Sequence, residues 1–434
     1  MRIKPSPVRP IALYNFKMKF FPVLCCLLVM ACAARAAETG DKLEKAAAAL
    51  SAQVAQKPEG LEELFDKSLF RRLSLEGLAG VLSGVYDKNG AVTRLVLVSS
   101  APVSGHYIFE TALGYRVPVA LGLNAESGKI SNLFFGAASR INPALAAAAS
   151  ALAALPGRTG LLVRRLDGGG ETLQALNENE YFASGAAFKL YVLGALLQRK
   201  VSWGRIFKLE EESRSLPAGP LAAWPDGAPL TAHTLAALML SQGDNTAADA
   251  LVSGLGRRNI EGTLAALGHS SPGMMRPFLK TSEMFRLRAD SQAALKYLNL
   301  PEGEKYGFLS SLAGTPLPAG DLRQSAFGLD KIEWPASPAD LCRVMDYVRA
   351  KDDRRALEIL AMNPGPVPAG ANFVYSGYRG ASEPGVLSMT WLLKDRKYGW
   401  YCLSAAWNYK AENLEEAKFF SIMRSALDAL SGAE

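Results

Sequence analysis

The sequence is poor in cysteine and histidine, and its first 36 residues contain no acid. Five cysteines occur in 434 residues, and three of them, Cys25, Cys26 and Cys32, lie in that N-terminal stretch. Only Cys342 and Cys402 remain beyond it, and whether they pair depends on geometry that spacing does not give. The three histidines, His106, His233 and His269, stand far apart. No metal-ligand spacing exists, so neither a metal nor another cofactor is expected. After residue 36 no apolar run approaches the ~20 residues of a membrane span.

Residues 1–36 carry Arg2, Lys4, Arg9, Lys17, Lys19 and Arg35, an apolar stretch from Phe20 to Ala34, and the cleavage pattern Ala34-Arg35-Ala36. This is the pattern of a secretory signal, with Met18 as an alternative start. Val29-Met30-Ala31-Cys32 loosely resembles a lipobox, so lipidation at Cys32 stays open beside cleavage near Ala36. A periplasmic or secreted location follows. Taking those six cations from the 48 basic residues leaves 42 against 41 acidic ones, so the net charge of +7 falls to +1. The excess charge belongs to the signal and gives no support to a nucleic-acid partner.

Residues 37–56 are expected to form an Ala-rich helix or tether without a strong apolar face. Residues 57–140 are expected to form a small α+β domain. Leu61, Leu64, Phe65, Leu69, Phe70, Leu73, Leu75 and Leu78 recur at helical spacing, and strands are predicted at 92–98, 107–112, 115–123 and 130–135. The alternation Tyr115, Val117, Val119, Leu121, Leu123 is the clearest of these. Residues 141–434 are expected to form a second α+β domain. Pro143 opens a helix, strands follow at 160–163 and 172–176, and helices at 187–197, 232–240, 246–255 and 259–267. Two late strands, 386–393 and 400–407, and a closing helix, 414–430, imply one antiparallel sheet built from both ends of the domain, with a helical subdomain between.

Three stretches carry the chemical signal. The first is Ser184-Gly185-Ala186-Ala187-Phe188-Lys189. The second is Ser241-Gln242-Gly243-Asp244-Asn245-Thr246-Ala247. The third is Tyr378-Arg379-Gly380-Ala381-Ser382-Glu383-Pro384-Gly385. In this order and spacing they resemble the three motifs of class A β-lactamase-like serine hydrolases, over most of residues 60–430. The subfamily with a small α+β domain ahead of the hydrolase-like domain, as in clavulanic acid biosynthesis, is the nearest resemblance. The leading domain is then of the cystatin or nuclear-transport-factor kind. The resemblance implies a β-lactamase/transpeptidase-like fold and places Lys189 as the lysine of Ser-x-x-Lys, one helical turn after the nucleophile. Asp244 and Asn245 match the second motif. The nucleophile position is Ala186, the relay-serine position is Gly243, and Arg379 stands for the lysine of Lys-Thr-Gly. A Glu-x-x-Leu-Asn base loop is absent between Leu267 and Leu300, where Glu283 is the nearest acid and reads as a helix-capping or surface residue.

These departures set the expectations. Losing the nucleophile of a coupled serine-hydrolase site costs about 10⁶ in rate. A catalytically degenerate, exported protein is expected, with Asp244, Asn245, Arg379 and Ser382 holding a small-molecule or peptide ligand, carboxylate-bearing or cell-wall-like. The alternatives are a hydrolase of β-lactams or esters working through a rearranged site, and a non-enzymatic protein whose N-terminal domain docks a partner. Ser184 is expected to cap the following helix rather than attack, and Ser241 to be a helix-end serine. Tyr181, Tyr375 and Tyr378 either line the cleft or pack against it.

Overall fold

A computed structural model describes residues 42–136, 138–140, 142–216, 219–317, 328–368, 371–396, 399–410 and 414–431. The predicted signal and Cys32 lie outside the described residues. The chain divides into two compact units, Met1–Arg140 and Ile141–Glu434. Among the described residues no helix is long and apolar enough to cross a membrane.

In the first unit, residues 42–53 are helical. They are not a tether without an apolar face: Leu43, Ala46, Ala47, Leu50 and Val54 are buried in this unit's core. The face is there, but alanine supplies much of it. Short helices Leu61–Leu64 and Lys67–Phe70 precede a longer one, Leu75–Asn89, which runs past the predicted 60–80 segment. Ser74 caps the long helix by accepting from Gly77 N at 3.1 Å, and Gly90, at φ 84°, ends it. Strands Val92–Ala101, Ser104–Thr111, Tyr115–Leu123 and Ile130–Phe135 form an antiparallel meander, with Ser139–Arg140 also paired to the third strand. Its inward residues, Tyr107, Phe109, Val117, Val119, Leu121 and Ile130, meet the helices.

The second unit is built on a five-stranded antiparallel sheet in the order Phe373–Glu383, Val386–Asp395, Gly399–Asn408, Arg158–Arg165, Thr172–Leu176. The two ends of the unit therefore close into one sheet. The helices Pro143–Ala153 and Glu416–Ser431 cover one face through Leu145, Leu152, Phe419 and Leu427. The other face carries the helical layer, in which Lys189–Gln198 is almost wholly buried and Pro338–Lys351 lies against the sheet. That layer includes helices Thr281–Ala289, Ser291–Asn299, Glu302–Leu312 and Arg354–Ala361, which the sequence patterns do not mark.

If the 42–53 helix is core, Leu50→Ala destabilises the first unit by about 2–5 kcal/mol, the cost of a buried leucine cavity. Hydrogen exchange of peptides from the 104–123 strands then speeds up. Unchanged protection would mean the helix is dispensable.

Candidate functional site

The site forms where the sheet edge strand Phe373–Glu383 meets the start of the buried helix. Phe182–Ala183 pairs with Pro335–Ala336, and a 3₁₀ turn, Gly185–Phe188, leads into helix Lys189–Gln198. Gly185 has φ 49°, and a Cβ there would stand 2.8 Å from the Ala381 methyl, so the close approach to the strand requires glycine. The entry segment is pinned on several sides. Asn408 Nδ2 donates to Ala183 O at 3.1 Å, Ser388 Oγ donates to Ser184 O at 2.9 Å, and Phe188 stacks on Trp334 at 3.9 Å.

Ser184 occupies the cap position but does not cap. Its hydroxyl donates across to Trp334 O at 2.6 Å. Ser241 Oγ donates back along its helix to Ala237 O at 2.7 Å. Neither hydroxyl is bonded to Lys189. The Lys189 amine donates to Gly243 O and to Asn245 Oδ1, each at 2.6 Å. Burial holds its pKa well below the usual lysine range, and the Arg379 cation adds to this. Two of the amine's hydrogens go to these acceptors.

Arg379 is 8 % exposed and reaches into the gap between the turn and the helical layer. Its Nε donates to Ala186 O at 3.0 Å and its Nη1 to Leu240 O at 3.1 Å. Burial lowers the guanidinium pKa to about 10, which leaves it charged at neutral pH. The Cβ of any larger residue at Gly243 would stand 3.4 Å from Nη2 and 3.6 Å from Nη1, on a backbone at φ 72°. A serine there would be strained by that backbone conformation, while its Cβ would rest in ordinary contact with the cation.

The structure thus brings Ala186, Lys189, Gly243, Asn245 and Arg379 together. It gives Asp244 and Ser382 other work. Asp244 is buried and caps helix Asn245–Leu255 by accepting from Ala247 N at 2.8 Å, while its second oxygen accepts from Leu221 N at 3.0 Å. Both oxygens are spent, so Asp244 is structural rather than ligand-facing. Asn245 is similarly engaged, its Nδ2 donating to Leu216 O at 2.7 Å. Ser382 lies on the face of its strand opposite Arg379, Ala381 and Glu383, hydrogen-bonded to Glu416. It does not join the cleft. Glu283 caps its helix at Lys280 N, 2.8 Å, but is buried and paired with Arg257, not at the surface. Tyr375 OH donates to Leu357 O at 2.9 Å and Tyr378 packs on Trp391; Tyr181 OH meets Ser270 and Ser271, each at 2.7 Å. Cys342 and Cys402 are both buried and unbridged. Among the described residues no His/Cys/Asp/Glu cluster could hold a metal ion.

One cluster escapes the sequence patterns. Glu383 shares the strand face of Arg379, and its Oε1 lies 3.1 Å from where a Gly185 Cβ would be. Arg288 Nη1 reaches Glu383 at 3.1 Å and Nη2 is paired with Glu333. Burial pushes the Glu333 carboxyl up to about 8; Arg288 opposes the rise, and Glu383, by charge and hydrogen bond, adds to it. Glu383 stands inside the Ser-Glu-Pro-Gly run, but the signal there is position along a strand face, which becomes visible only once the strand is known.

The model of the Beta-lactamase enzyme family matches residues 141–351. Just under half of the chain is therefore similar to that family. Among solved structures, the chain is similar to a beta-lactamase from Sphaerobacter thermophilus DSM 20745, at 20 % identity over 67 % of this chain and 98 % of that one, TM-score 0.47. It is similar to a beta-lactamase from Desulfarculus baarsii DSM 2075, at 20 % identity over 67 % and 99 %, TM-score 0.46. PBP-A is similar at 14 % identity over 66 % and 96 %, TM-score 0.46. No protein of curated function matches the chain. Within this β-lactamase-family fold, the position three residues before Lys189 carries a methyl group.

Glu333 gives the site a pH signature. Its folded pKa of about 8 exceeds the ordinary 4.5, so folding takes up a proton between these values. The protonated carboxyl's contribution to stability is full below 4.5 and is lost as pH rises through 8. Denaturant unfolding across that window should show a decline in wild type that Glu333→Gln flattens. Equal slopes would place the proton elsewhere.

Proposed function

We propose that this is an exported β-lactamase-like protein that does not acylate and that holds a carboxylate-bearing ligand on the outward edge of Arg379. One observation carries the reading. Two guanidinium nitrogens are committed to Ala186 O and Leu240 O, and Nη2, beside Gly243, has no acceptor among the described residues. Ala186 and Gly243 are both partly exposed, so a ligand reaching Nη2 passes over two positions with no reactive side chain. Arginine is suited to this, because its fixed fork offers a charge-assisted donor to a carboxylate while the other nitrogens hold it in place. The reading rests on the geometry of the second unit together with the N-terminal signal pattern, with cleavage near Ala36 and a periplasmic or secreted location.

A rearranged hydrolase needs a nucleophile at the Lys189 amine. The nearby serines give their protons to main-chain carbonyls, and the amine gives its own to Gly243 and Asn245. Catabolism of β-lactams, or a role in antibiotic response through turnover, therefore lacks its first step. Docking of a partner by the first unit is compatible with the proposal and independent of it.

A fluorescent penicillin, which carries a carboxylate, tests the proposal. Fluorescence polarisation should rise reversibly with wild type and fall with Arg379→Gln, with Arg379→Lys intermediate, while intact mass shows no gain. A stable mass gain on any side chain, or the absence of reversible binding, overturns the proposal. Ala186→Ser alone should leave nitrocefin turnover at background, because Gly243 and Arg379 remain. Turnover restored by that one change would mean the site is intact apart from a single atom.

A further inference from the structure

A second polar groove in the same unit includes Glu333 but not Arg379. It has a volume of about 300 Å³, and Met274, Arg276, Pro277, Tyr297, Lys305 and Lys331 lie along it. The charges around it are uneven. The groove's two acids are already answered: Asp330 by Lys410, and Glu333 by Arg288. Arg276, Lys305 and Lys331 have no carboxylate within ion-pair distance among the described residues. Lys305 holds its ammonium 4.9 Å over the Tyr297 ring, a contact that favours a position at the groove.

Tyr297 supplies a second, independent indication. It is 3 % exposed, and its hydroxyl has no hydrogen-bond partner among the described residues. The ring is buried but the oxygen keeps some contact with solvent, so a ligand entering the groove can reach it. Burial raises the pKa of this phenol, so it stays protonated and can donate.

We propose that this groove is a binding site for a small polyanion, an organic phosphate or a polycarboxylate, gripped by Arg276, Lys305 and Lys331, with the Tyr297 hydroxyl as a fourth donor. A single carboxylate would answer one of three cations. A group bearing two or more charges answers them together. The volume corresponds to roughly ten waters at about 30 Å³ each, the size of a phosphorylated sugar and too small for a folded partner.

Titration calorimetry on the full chain, with pyrophosphate and citrate as probes, tests this. At least one probe should bind wild type, more weakly as salt rises. Which one binds tells phosphate from carboxylate. Combining Arg276→Gln, Lys305→Gln and Lys331→Gln, all at the surface, should weaken binding at least about tenfold. Tyr297→Phe, which removes one oxygen, should weaken it about threefold. Arg355→Gln with Lys418→Gln, exposed cations elsewhere, should leave it unchanged, as should Arg379→Gln. No binding of either probe overturns the proposal, as does full affinity in the triple variant. Equal weakening in the control pair would show diffuse attraction and overturn it. Loss in Arg379→Gln alone would move the anion to the cleft, leaving the preceding reading standing and this one refuted.

Discussion

A single guanidinium ties the cleft of the second unit together. Arg379 is buried, charged, and hydrogen-bonded through Nε to the carbonyl of Ala186 and through Nη1 to that of Leu240. Burying a cation is costly unless acceptors meet its donors, and two of the three guanidinium nitrogens are met here. Here the acceptors are main-chain carbonyls from the turn that would present a nucleophile and from the helix end before the second motif. The strand, the turn and the helical layer are joined at one side chain.

Three changes that look separate in the sequence become one arrangement. The Ala186 carbonyl receives Arg379, Gly243 lies against the guanidinium on a backbone that favours glycine, and the cation disfavours a charged Lys189 beside it. Lys189 then serves as an internal donor to Gly243 O and Asn245 Oδ1. Asp244 persists for a different reason, since it caps a buried helix and accepts from Leu221 N.

The fold was legible wherever burial imposes a simple period. The alternation from Tyr115 to Leu123 gave a strand with those ends, and the late strands with the closing helix implied a sheet made from both ends of the unit. The 42–53 helix was harder, because alanines carry part of its buried face and they hardly register as apolar. Helix Thr281–Ala289 buries the charged residues Glu283, Arg286 and Arg288, which breaks the apolar stripe that a sequence would show. At the site, motif spacing found the positions but not their partners. Ser184 looks like a cap until Trp334 arrives from 150 residues away. Ser382 and Glu383 are neighbours in sequence, yet strand alternation sends them to opposite faces. Long-range contacts of this kind leave no local signature.

The central claim is that Arg379 is bonded to the carbonyl of Ala186. It is tested most directly by NMR on protein labelled with ¹⁵N-arginine and ¹³C-alanine. The account predicts a slowly exchanging Arg379 Nε–H, hindered rotation of its guanidinium, and a coupling through the hydrogen bond from Nε to the Ala186 carbonyl carbon. An Arg379 signal that exchanges and averages like those of surface arginines, with no such coupling, would contradict it.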